Sequence, residues 1–141
     1  MKGESVLRRD MIVVALLGLM AFPVCVQASP RLRCQVTLNG ETRDFEFAPT
    51  KDPYNVASID ISKRFRLKAV VIGDERQIDY IKLYTYYQSE RQAVLLHEAK
   101  YTTPAAEVAP SPAALTGVNY VYSPVLGREL QYGCALFEVV P

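Results

Sequence analysis

Asn39-Gly40 stands between two stretches that alternate apolar and polar residues, and this arrangement constrains the fold more tightly than any other feature. Upstream, Leu32, Cys34, Val36 and Leu38 alternate with Arg33, Gln35 and Thr37. Downstream, Phe45 and Phe47 alternate with Asp44 and Glu46. Asn-Gly supplies the two positive-φ residues of a type I′ hairpin turn. A two-residue loop fixes the register, so that Cys34 faces Phe45, Leu32 faces Phe47 and Arg33 meets Glu46. Apolar meets apolar and cation meets acid, the pairing that stabilises neighbouring strands. A slip of one residue would turn the whole apolar set to solvent.

The remaining chain reads as further strands. Val56 to Ile61 reads as a short strand, and Lys63 to Val71 follows with Phe65, Leu67, Ala69 and Val71 on one face. Gly73-Asp74 turns the chain, and Ile78 to Tyr87 continues it. A three-residue loop, Gly73 to Glu75, places Phe65 by Leu83 and Leu67 by Ile81. Arg64, Arg66 and Lys68 then lie beside Tyr84, Lys82 and Tyr80 on the opposite face. Burial of apolar against apolar selects this odd-length loop. Ala93 to Tyr101, Asn119 to Tyr122 and Glu129 to Val139 complete the strands. Pro104, Pro110 and Pro112 mark residues 102–116 as a long mobile loop,. Many short strands separated by turns predict an all-β fold, a small antiparallel β-sandwich or β-barrel.

The first 28 residues read as an address. Lys2, Arg8 and Arg9 precede an apolar run from Met11 to Phe22, and Val26-Gln27-Ala28 offers a cleavage site. This is the tripartite pattern of a secretory signal peptide. The run reaches about 15 residues where a membrane-spanning helix needs about 20, so no stable anchor is expected after cleavage. Arg8-Arg9 faintly echoes a twin-arginine signal, but no cofactor motif follows that would require folded export. Cys25 follows Val24, not the small residue that precedes an acylated cysteine. The expected mature chain is a single domain, residues 29–141, periplasmic or secreted. Cys34 and Cys134 alone remain in it, and an oxidising compartment predicts a disulfide tying the first strand to the last,.

Chemistry has few candidates. The chain of 141 residues carries a net charge of +1, and loss of Lys2, Arg8, Arg9, Glu4 and Asp10 brings the balance to zero. Nucleic-acid binders usually carry a large basic excess, so no nucleic-acid partner is expected. His97 is the single imidazole and shares an alternation face with Leu95, Ala99 and Tyr101, which suits a hydrogen-bonded strand histidine,. Asp74-Glu75 suits a turn. No nucleophile motif, metal-ligand spacing or phosphate loop is present, so neither cofactor nor metal is expected. A carboxylate site assembled from distant strands is the enzymatic alternative.

Nine tyrosines are the distinctive feature, with Tyr80, Tyr84 and Tyr86 on one strand face. Arg64, Arg66, Lys68 and Lys82 rim them. Tyrosine gives rigid amphipathic area at low entropic cost, and arginine adds planar hydrogen bonding and cation–π contact. These seven residues are the predicted binding surface of a non-catalytic module, with an envelope protein or an anionic cell-wall glycan as partner. Thr116-Gly117-Val118-Asn119-Tyr120 is similar to the Ser-Gly-x-x-Tyr loop of small exported lysozyme inhibitors, which are compact β-barrels with a disulfide. Thr stands in place of Ser. The resemblance covers five residues, carries no residue roles across, and implies an inhibitor of lysozyme as the alternative function.

Overall fold

The computed structural model describes residues 27–140. The basic segment, the apolar run and Cys25 lie outside them. Ser29, which would follow the expected cleavage point, is the first residue of a strand. Eight strands form: β1 (Ser29–Leu38), β2 (Glu41–Phe47), β3 (Ile59–Asp60), β4 (Phe65–Gly73), β5 (Ile78–Gln88), β6 (Ala93–Thr102), β7 (Asn119–Tyr122) and β8 (Glu129–Val139). They build two four-stranded antiparallel sheets, β2-β1-β8-β7 and β3-β4-β5-β6, packed as a sandwich.

Period two explains the core. Leu32, Val36, Leu130 and Leu136 point inward from one sheet, and Phe65, Leu67, Val71, Ile81 and Leu83 from the other. Full burial of one such side chain stabilises by roughly 1.5–3 kcal/mol relative to exposure. The β1–β2 hairpin has the register expected of it, with Leu32 opposite Phe47, Arg33 opposite Glu46 and Cys34 opposite Phe45. Asn39 and Gly40 make the turn at φ 53° and 81°. Cys34 and Cys134 face each other on β1 and β8 and are bonded, closing a separation of 100 residues.

The second sheet runs in chain order, and its central register differs from expectation. Phe65 lies opposite Tyr87, Leu67 opposite Thr85 and Ala69 opposite Leu83. The turn is one residue longer, Asp74 to Gln77, with Asp74 Oδ1 accepting the N–H groups of Arg76 and Gln77 at 2.8 and 3.0 Å. A bulge at Ile72/Gly73 absorbs the odd residue. The ladder therefore moves by an even number of positions, so the pairs change while the inward and outward faces do not.

Residues 103–118 lie along the free edge of β8 beyond β7. Glu107 N donates to Leu136 O at 3.1 Å, Leu115 N to Cys134 O at 3.0 Å, and Cys134 N to Thr116 Oγ1 at 2.8 Å. The segment takes backbone groups that an unpaired edge would leave open. It also crosses the outer side of β8, where Gly133 and Ala135 leave room for it. A Cβ on Gly133 would stand 2.7 Å from Ala113 Cβ.

Candidate functional site

The outer face of the second sheet gathers six of the seven predicted binding residues. Cross-strand rows place Arg66 beside Tyr86, Lys68 beside Tyr84, Val70 beside Lys82 and Ile72 beside Tyr80. All six are half-buried at most on one side, while their strand neighbours Phe65, Leu67, Ile81 and Leu83 fill the core. Even shifts of register preserve this division. What they alter is the partner of each cation: Arg66 meets a tyrosine and not Lys82.

Arg64 is the exception. It precedes β4, where its carbonyl accepts the N–H of Gln88 at 2.6 Å. It lines a cleft with Ser89, Arg91, Val125 and Leu126, which holds none of the other six residues.

β6 adds residues that sequence reasoning missed. Leu95 lies opposite Tyr86, Glu98 opposite Tyr84 and Lys100 opposite Lys82. Leu95 was expected on the face of His97, but a bulge at Thr85/Tyr86 inserts Leu96 and turns Leu95 outward, 49% exposed. The consecutive leucines that break the alternation were the available signal.

The face has an electrostatic pattern. Lys82 Nζ binds Glu98 Oε1 at 3.2 Å and lies 5.7 Å from the Tyr84 ring centroid. The hydrogen bond to Glu98, followed by that to Tyr84, raises the Lys82 pKa. Lys100 Nζ stands 5.0 Å from the Tyr80 ring. The Tyr84 and Tyr86 rings are near-parallel at 17°, with centroids 6.2 Å apart. Burial raises the Tyr86 pKa, so its hydroxyl remains a donor. Arg66 Nε is buried without a hydrogen-bond partner among the described residues. The surface thus presents three cations beyond the Lys82–Glu98 pair, interleaved with neutral phenols.

The other candidates have local roles. His97 Nδ1 and the Tyr132 hydroxyl are 2.8 Å apart, the hydrogen-bonded strand histidine expected. Asp74 closes its turn, and the two backbone hydrogen bonds hold its carboxyl below the ordinary range. In the Thr116 to Tyr120 segment, Thr116 Oγ1 is tied to Cys134 while Val118 and Tyr120 are each 56% exposed. Among the described residues no three His, Cys, Asp or Glu side chains gather into a metal-binding group. Compared with known protein families, curated proteins and solved structures, the chain matches none.

Proposed function

We propose that this chain is an exported binding protein whose β4–β5–β6 face holds an anionic envelope partner, a protein or a cell-wall glycan. The observation that carries the reading is the pair of rows Arg66–Tyr86 and Lys68–Tyr84 on a side turned away from the core. Arg66 adds an unmatched buried donor, which costs free energy until a partner's acceptor meets it. Tyrosine and arginine dominate the residues that carry binding energy at interfaces. The disulfide suits an oxidising compartment,. Export after Ala28 leaves β1 whole, because β1 begins at Ser29.

The test compares Arg66→Ala and Tyr84→Ala in pull-downs from crosslinked cell envelope, followed by titration of the captured partner. Each variant keeps stability within about 0.5 kcal/mol, as outward-facing changes usually do, and loses more than about 1 kcal/mol of binding. Unfolding by Tyr84→Ala, or binding untouched by both changes, overturns the reading. N-terminal sequencing of the native protein is expected to begin at Ser29.

A second reading rests on the exposure of Val118 and Tyr120 beside a turn anchored to the disulfide. An inhibitor of lysozyme would lose activity with Tyr120→Ala and tolerate Tyr84→Ala. The face proposed above has the reverse sensitivity.

A further inference from the structure

A cavity of about 700 Å³ opens at the end of the sandwich where β1 begins and β4 turns into β5. It shares no residue with the tyrosine face. Arg31 on β1, Lys51 on the β2–β3 connection and Arg76 in the β4–β5 turn all line it, with Thr50, Asp74 and Glu75. Its framework is main chain. Thr50 N donates to Val71 O at 2.9 Å and Gly73 N donates to Thr50 O at 3.2 Å, which bridges the Lys51 segment to the end of β4. Gly73 has φ 156°, and a Cβ there would clash with Gln77 O, so the tight turn requires glycine,. The Asp74 carboxylate, bonded to the N–H groups of Arg76 and Gln77, sets Glu75 and Arg76 at the tip.

Three segments far apart in sequence therefore deliver three cations to one concavity. Among the described residues none of the three makes an ion pair. The charges of Lys51 and Arg76 both reach Asp74 and, after its backbone hydrogen bonds, help hold its carboxyl low. One lining carboxylate is thus engaged with main chain, and Glu75 is the other. Thr50 Oγ1 accepts the N–H of Asp52 at 3.2 Å and keeps its own proton to donate,. The volume lies within the roughly 300–1,000 Å³ of small-molecule sites.

We propose that this cavity binds a small polyanion, a molecule bearing two or more phosphate or carboxylate groups. Cations on separate segments reward a ligand that spans them, since each charge-assisted hydrogen bond is stronger than a neutral one. A monovalent ion engages only one of the three and gains correspondingly less.

The probes are pyrophosphate and citrate, added to isotope-labelled protein with sodium chloride at matched ionic strength as reference. Amide NMR is expected to show saturable shifts at residues 29–31, 48–51 and 73–77 with either probe. Lys51→Gln and Arg76→Gln each weaken binding at least tenfold, while Arg66→Gln on the separate face leaves it unchanged. Both altered side chains are exposed, and thermal melting checks that the variants fold. Shifts that fail to saturate overturn the proposal. So do shifts centred on Arg66, Lys68 and Tyr84, or affinities indifferent to Lys51→Gln and Arg76→Gln.

Discussion

His97 on β6 and Tyr132 on β8 join the two sheets through a 2.8 Å hydrogen bond between imidazole Nδ1 and phenol. Burial, with the neighbouring Tyr101, pushes the Tyr132 pKa far above the ordinary phenol range, so the hydroxyl keeps its proton. Tyr132→Phe retains the buried ring but leaves Nδ1 without this partner. The expected loss is about 1–3 kcal/mol, the cost of an unsatisfied buried polar group. Tyr84→Phe on the outer face costs no more than about 0.5 kcal/mol. Urea unfolding of the two variants side by side checks the contrast.

Reduction of Cys34–Cys134 lowers stability by up to ~4.7 kcal/mol, the chain-entropy value for a loop near 100 residues. A Cys34→Ala/Cys134→Ala variant is expected to unfold at a lower urea midpoint and to be indifferent to reductant. Equal midpoints for reduced and oxidised protein would contradict a closing role for the bond.

Gly133 is the seat of the segment that crosses β8, since any Cβ there meets Ala113 at 2.7 Å. Gly133→Val is expected to destabilise by roughly 1–3 kcal/mol through overpacking. Hydrogen exchange locates the damage: Leu115 and Thr116 amides, bonded to Cys134 O, lose protection first, while the β1–β2 hairpin keeps its own.

Two carboxylates predict an acid limb. Backbone N–H groups of Arg76 and Gln77 lower Asp74. The Gln131 amide, followed by the Tyr122 hydroxyl, lowers Glu129. A depressed folded pKa gives stability that is complete above the ordinary carboxylate range and is lost as pH falls through the folded value. Urea midpoints are therefore expected to drop on acidification below that range. Asp74→Asn and Glu129→Gln each flatten the drop.

Legibility in the sequence followed the locality of the determinants. The β1–β2 pairs were readable because Asn39-Gly40 permits one short turn and alternation permits one register. The faces of β4 and β5 were readable for the same reason, but their partners were not. A four-residue turn with a bulge preserves the parity of a three-residue turn, and parity was the criterion available. Arg64 lies one residue before β4 and lines a cleft with Val125 and Leu126, a neighbourhood that alternation does not encode. Leu95 was misplaced by a bulge whose only trace is Leu95-Leu96. The cavity holding Arg31, Lys51 and Arg76 left no local trace, since it depends on Thr50 bridging to Ile72, a contact that no periodicity encodes.

The strand order also sets a sequence of events in time. In the sheet β3-β4-β5-β6 every neighbour in space is a neighbour in the chain, so its loops are short and its closure is entropically cheap. The sheet β2-β1-β8-β7 begins as a local hairpin but needs the last strand at its centre. Until β8 emerges, Leu32, Cys34 and Val36 have no partner along one edge. A chain that emerges N-terminus first is therefore expected to assemble its second sheet first and hold an open hairpin until the C-terminal segment arrives, with Cys34 not yet joined to Cys134 throughout that interval.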